Sequence, residues 1–262
     1  MLHIRTLTTT RYLTPLHEGS SLPAVVEAED GELYVMKFAG AGQGRKALIA
    51  ELVAGEIGRA LGLRVPEIVL LTLDPALGPS EPNQEIRDLL RASVGLNLGM
   101  RYLPRAFTFD PSLPPPIEAG PASAIVWFDA YVTNPDRALR NVNILESAHE
   151  LWLIDHGVAL YFHHDWRDYR ARSRSPFPLI KDHALLPYAA LLPAADLDAK
   201  AFLTPEVIAG VVSAIPDDWL DPAAPFVSPA EQRHAYLEFL TGRLEASGIF
   251  VTEANRVRAE RL

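Results

Sequence analysis

The stretch Asp129-Ala-Tyr-Val-Thr-Asn134-Pro135-Asp136-Arg137-Ala138-Leu139-Arg140-Asn141-Val142-Asn143-Ile144-Leu145 sets Asp136 five residues before Asn141 and then enters a short apolar strand. Ten residues past Leu145, Asp155-His156-Gly157 closes a second apolar run. Phosphoryl transfer needs these residue types. A carboxylate orients or deprotonates the acceptor hydroxyl, and oxygen ligands hold magnesium on the nucleotide phosphates. Magnesium prefers hard oxygen donors and takes only one or two carboxylates from a protein. Asn-Pro-Asp or Asp-His-Gly alone is an ordinary turn. Together, in this order and spacing, they point to chemistry.

Lys37 stands near the end of a β-prone run, between Met36 and Phe38. Such a lysine commonly just snorkels to the surface. In a kinase, a strand lysine contacts nucleotide phosphates and pairs with a glutamate on the next helix. Glu51 is the first candidate for that glutamate and Glu56 the second. His17-Glu18-Gly19-Ser20-Ser21 lies where a phosphate-covering loop belongs, although it has one glycine. Gly40-Ala41-Gly42-Gln43-Gly44 is richer in glycine and opens a helix, which suits an anion or a flexible connector.

The elements that must position these residues follow from periodicity. Ala24–Ala28 and Leu33–Phe38 are β-prone runs joined at Asp30-Gly31, a hairpin signal. Leu48, Leu52, Ile57 and Leu61 fall near helical spacing, and Gly62 ends that helix. Ile68–Leu73 reads as a buried strand, Pro82–Ala92 as a short helix, and Leu98–Leu103 as an extended run. Five prolines between Phe107 and Ala122 preclude regular structure there and mark a boundary. Beyond it, Ser123–Val132 reads as an apolar helix. Ile144-Leu145 with Leu151–Ile154 forms a hairpin, and the chain from His183 is mostly helical with proline breaks.

The chain has 262 residues, 48% hydrophobic and 22% charged, as in an ordinary globular protein of one or two domains. Zero cysteines exclude disulfides, thiolate metal sites and a cysteine nucleophile, and fit a cytoplasmic setting. A net charge of −9 argues against direct nucleic-acid binding. No signal peptide or membrane span is read. His163-His164 beside Asp165 is read as no metal site, because neighbours on a strand point to opposite faces. Trp127 and Trp152 are assigned to the core. No Gly-x-Ser-x-Gly, Walker loop or dinucleotide fingerprint is present.

Taken together, these residues resemble the HipA-like kinases, a branch of the protein-kinase-like fold related to the phosphatidylinositol kinases. The likeness covers most of the chain. It rests on Tyr34-Val-Met-Lys37-Phe, on Glu51 in the helix before Ala60-Leu-Gly-Leu-Arg-Val-Pro-Glu67, and on Leu98-Gly-Met-Arg-Tyr102-Leu. Asn134-Pro-Asp136-Arg-Ala-Leu-Arg-Asn141 and Ile154-Asp155-His156-Gly157 complete it. The resemblance implies an α+β, two-lobed protein-kinase-like fold: a small β-rich N-lobe with one main helix (1–104) and a larger, mainly helical C-lobe (105–262). ATP and Mg2+ would sit between them. Lys37 would hold phosphates with Glu51 orienting it, and Gly19 and Ser20 would cover them. Asp136 would be the catalytic base, Asn141 and Asp155 would hold magnesium, and main-chain groups of Arg101, Tyr102 and Leu103 would meet adenine.

Two departures stand out. Many relatives carry a histidine where this chain has Ala138, and the glycine loop lacks the fuller pattern of ordinary protein kinases. Aminoglycoside-type kinases usually carry a histidine at the position of Asn134, which favours the HipA-like likeness. The expected activity is γ-phosphoryl transfer to a hydroxyl of a protein Ser/Thr, of the protein itself or of a small molecule. The alternatives are a catalytically weak nucleotide-binding regulator acting through a protein partner, or an AMP transferase. Trp166–Ser175 carries Arg167, Arg170, Arg172 and Arg174. It is expected either to bind an acidic acceptor, or phosphorylated Ser173 or Ser175, or to be a solvated loop neutralised by Asp165, Asp168 and Asp182.

Overall fold

A computed structural model describes residues 2–16, 22–42, 44–77, 81–113 and 115–261. Strand β1 (Thr6–Pro15) pairs antiparallel with β2 (Ala24–Ala28). The Asp30-Gly31 turn then delivers β3 (Leu33–Lys37): Gly31 takes φ +78°, and Asp30 Oδ1 accepts the Glu32 N–H at 3.1 Å. Helix α1 (Gly44–Ala60) follows and stops where Gly62 turns left-handed at φ +76°. Its residues Leu48–Gly58 are all buried, Glu51 and Glu56 among them. β4 (Ile68–Leu73), α2 (Gln84–Ala92) and β5 (Gly95–Arg101) complete this part. Asn83 caps α2 through its Oδ1, which accepts the Glu85 N–H at 2.9 Å.

The five strands close as a barrel in the order β1-β2-β3-β5-β4. β1, threonine-rich and without clear apolar alternation, was not legible as a strand. It is held by pairing with β2 and, in parallel, with β4. A Cβ on Gly99 of β5 would lie 2.5 Å from Leu71 Cδ1 and 2.9 Å from Val69 Cγ2. Gly99→Ala should therefore overpack the barrel and cost about 1–3 kcal/mol. Chemical denaturation checks this, and an unchanged midpoint would show that the two β4 side chains yield freely.

The proline-rich stretch is less irregular than its composition implies. Phe107–Thr108 forms a short strand, β6, and helix α3 (Ala119–Tyr131) begins four residues before the expected start at Ser123. β6 pairs with the hairpin of β7 (Ile144–Ser147) and β8 (Glu150–Leu153). The rest is helical: α4 (Tyr169–Ser173), α5 (Leu192–Phe202), α6 (Pro205–Ser213), α7 (Pro229–Glu245) and α8 (Ser247–Ala259). Thr204 and Ser228 cap α6 and α7, each followed by a first-turn proline.

One apolar cluster joins α1 to α3 and the C-terminal helices, while a second fills the barrel. Trp127 is buried; Trp152 is only half-buried, with the Arg64 guanidinium 5.9 Å over its ring. His163 and His164 lie in a 3-10 turn, Tyr161–His164, rather than on a strand. His163 is buried with Nδ1 3.1 Å from the Tyr236 hydroxyl. Among the described residues no group of three or more metal-ligating side chains forms, and no helix is long and apolar enough to cross a membrane.

Candidate active site

The alternation of β3 sends Tyr34 and Met36 into the barrel core and leaves Lys37 at the strand's end, aimed at α1. Its Nζ donates to Glu51 Oε1 and, at 2.6 Å, to Asp155 Oδ1. Glu56 is not its partner; it lies 3.4 Å from Arg59 on its own helix. Burial alone would raise the Glu51 carboxyl, but the Lys37 charge beside it, aided by His156, holds it well below the usual carboxylate range. Burial works against charge on Lys37 too, yet Glu51 and Asp155 together push its ammonium above its ordinary value. Both groups are charged at neutral pH.

Asp155 reaches Lys37 from an Asp-His-Gly turn in which its backbone takes φ +57°. The turn passes tightly over α1. A Cβ on Gly157 would lie 3.2 Å from Glu51 Oε1 and 3.6 Å from Ala47 Cβ, so glycine gives the approach its clearance. His156, fully buried, lies with Nδ1 3.6 Å from Glu51 Oε2 and packs edge-on against Phe128.

Asp136 sits on the loop between α3 and β7. Its N–H donates to Asn134 Oδ1 at 3.1 Å, and its Oδ2 accepts from Asn141 Nδ2 at 3.0 Å. Asn143 Nδ2 donates to the Asp136 carbonyl at 2.8 Å. Burial, then the charge of Asp155, pushes the Asp136 carboxyl above the ordinary value.

A buried group that the sequence reading missed supports this loop. Arg137 Nε donates to Asp129 Oδ2 at 2.5 Å, while Nη1 reaches the carbonyls of Asn143 and, at 3.5 Å, Ile154. It thus ties α3 to the two residues that flank the β7–β8 hairpin, one before β7 and one after β8. His183 Nδ1 accepts the Leu185 N–H at 3.0 Å, so the proton is on Nε2, which donates to Asp129 Oδ2 at 2.9 Å. Burial holds the His183 ring below its ordinary value and therefore neutral. Burial would raise Asp129, but the Arg137 charge and the His183 bond keep it ionised.

Lys37, Glu51, Asp136, Asn141 and Asp155 all line one cleft of about 300 Å³. Ala41, Gly42 and Gly44 of the glycine-punctuated loop line it too. That loop is tethered rather than a free connector: Ala39 N–H donates to Asn97 Oδ1 at 2.8 Å and Gly40 N–H to Ser93 Oγ at 3.1 Å. Asn141 Nδ2 is engaged by Asp136, which leaves its Oδ1 as an oxygen donor in the cleft that the half-exposed Asp155 carboxylate also lines. Two oxygen donors suit a magnesium ion completed mainly by phosphate and water.

Gly19 and Ser20 lie outside the described residues. The expected adenine strand is not brought to this cleft: Arg101, Tyr102 and Leu103 do not line it. The Arg101 N–H already donates to the Glu67 carbonyl at 2.8 Å, and the Tyr102 N–H to Leu33 at 2.9 Å. Barrel pairing has engaged two of the three main-chain donors.

The arginine-rich stretch likewise finds its acids within the chain. Arg167 pairs with Asp165 at 2.6 Å, Arg170 with Glu238 at 2.8 Å and Arg174 with Glu245 at 2.6 Å; Arg172 donates to the Asp165 carbonyl at 2.6 Å. The neutralising residues are thus mainly on α7, not Asp168 and Asp182. Ser173 is buried against Gly242 and has no room for a phosphate.

The family model described as HipA-like kinase matches residues 10–246. The Helicobacter pylori proinflammatory kinase CtkA superposes with a TM-score of 0.56 at 15% identity, over 99% of each chain. The Golgi casein kinase, solved with Mn/ADP bound, gives a TM-score of 0.52 at 12% identity, covering 95% of this chain and 73% of that one. Both likenesses show a kinase-like fold. No curated protein sequence matches the chain.

Proposed function

Since the chain belongs to the HipA-like kinases, and is thereby a phosphotransferase, we propose that it transfers the γ-phosphoryl group of ATP, with magnesium, to a hydroxyl acceptor. In this reading the fold is two-lobed, with residues 1–104 and 105–262 flanking the nucleotide. The observation that carries it is the convergence of Lys37, Glu51, Asp136, Asn141 and Asp155 on one cleft, drawn from β3, α1, the α3–β7 loop and the turn after β8. Lys37 holds nucleotide phosphates, kept charged and aimed by Glu51. The Asp136 carboxylate takes the proton of the acceptor hydroxyl as its oxygen bonds the γ-phosphorus and the bond from that phosphorus to ADP breaks. Asn141 Oδ1 and Asp155 would hold magnesium, which would neutralise charge developing on the phosphates. The Mn/ADP held by the Golgi casein kinase, similar in fold, supports nucleotide with a divalent ion here.

Thermal shift tests binding. ATP with magnesium should stabilise the protein by about 2.7 kcal/mol at a hundredfold excess over Kd, and ATP with EDTA should do so far less. No shift at millimolar ATP with magnesium would sink the nucleotide claim. Label from γ-labelled ATP should pass to the acceptor or to the protein, whereas transfer from α-labelled ATP would make it an AMP transferase.

A further inference from the structure

The arginines of Trp166–Ser175 each hold a partner within the chain. Among the described residues, Arg45, Arg105 and Arg140 are exposed and make no ion pair or hydrogen bond. Arg140 stands in sequence between Asp136 and Asn141, which both line the cleft and bond each other at 3.0 Å.

Leu139 and Arg140 are the two central residues of a turn closed by the Asn141 N–H on the Ala138 carbonyl at 2.9 Å. The base of this turn is pinned. Ala138 forms a β-bridge with His183, the Ala184 N–H donates to the Arg137 carbonyl at 2.8 Å, and Asn141 holds Asp136. The tip is therefore projected from a fixed base beside the cleft, with Leu139 71% exposed. An exposed arginine is most often simply solvated. Here an unengaged guanidinium and a bare leucine share one rigid turn, next to the carboxylate that an acceptor hydroxyl must reach. The protein as a whole carries a net charge of −9, so an unengaged cation on this turn is a distinct feature for an acidic acceptor to meet.

We infer that the Leu139–Arg140 turn selects the acceptor, a peptide whose hydroxyl residue is flanked by an apolar and an acidic side chain. The guanidinium fork suits a carboxylate, and Leu139 covers the apolar neighbour. This rests on the phosphotransfer reading above and adds the acceptor class to it.

The test uses the full chain and two synthetic serine peptides, identical except that glutamate or lysine stands beside a leucine next to the serine. The parent should favour the glutamate peptide by about tenfold in kcat/KM, the size of one charge contact of about 1.4 kcal/mol. Arg140→Glu should reverse that preference, and Leu139→Ser should lower kcat/KM for both peptides. The parent's preference should shrink at high salt, where screening shortens to about 3 Å at 1 M. The thermal shift with ATP and magnesium should be the same in parent and Arg140→Glu. An equal peptide ratio in both proteins overturns the inference. So does loss of the ATP shift in Arg140→Glu, which would assign the arginine to the nucleotide, and so does ATP turnover without phosphorylation of either peptide. A parent neither stabilised by ATP nor consuming it would instead fail the phosphotransfer reading itself.

Discussion

Asp136→Asn is expected to leave magnesium-dependent ATP binding at the parent level while phosphoryl transfer falls by ~10²-fold or more. Asparagine keeps the shape and can still accept from Asn141 and Asn143, but it cannot take the acceptor proton. Asp155→Ala should behave differently, because it removes both an oxygen donor and the Lys37 partner at 2.6 Å. Nucleotide binding and transfer should fall together. Thermal shift set against γ-label transfer separates the two patterns. Unchanged turnover in Asp136→Asn would mean that the loop's roles are misassigned.

The same carboxyl sets an acid limb. Burial first, and then the Asp155 charge, pushes Asp136 up, and a base works only when deprotonated. Transfer should therefore fall with decreasing pH at values above the ordinary aspartate range near 3.9. A divalent ion on Asp155 offsets that negative charge and should move the limb to lower pH.

The largest stability loss is expected for Asp129→Ala, which leaves the Arg137 guanidinium buried without its counter-charge and His183 Nε2 without its acceptor. Breaking a buried pair in this way costs about 3–5 kcal/mol. In a chain of this size that is a drop in Tm of roughly 10 °C. Asp129→Asn should lose less, and its deficit should depend on pH with a definite sign. The native Asp129 carboxyl is depressed, so the stability it contributes is complete above its unfolded value near 3.9 and lost as pH falls through the folded one. Parent and Asp129→Asn should thus converge only below about pH 4 in acid titrations of unfolding. Equal stability at pH 7 would show that the brace contributes nothing.

Local signals were the legible ones. The Asp30-Gly31 hairpin, the period of α1 and the spacing of Asp136, Asn141 and Asp155 are set by neighbours in sequence, and all were read. Long-range pairing was not. Arg170 and Arg174 looked available because Glu238 and Glu245 lie 68 and 71 residues further on. The N–H groups of Arg101 and Tyr102 looked open because the strand register that engages them is tertiary. One missed group did leave a sign: Asp129 sits in an otherwise apolar helix, Ala-Ile-Val-Trp-Phe-Asp-Ala. A carboxylate there needs a buried partner. That partner could have been sought among the arginines and histidines downstream.

The continuous packing of α1 also governs how the cleft can move. This helix packs on β4 and β5 and equally on α6, and its buried residues belong to the cluster that includes α3 and α8. A wide hinge between the two ends of the molecule would have to tear that cluster open. A small sliding shear of the barrel against α1 would leave that cluster closed around a bound ligand. Lys37 rides on the barrel and Glu51 on the helix, so the bond between them is the gauge of that displacement: it is kept only while the slide stays short.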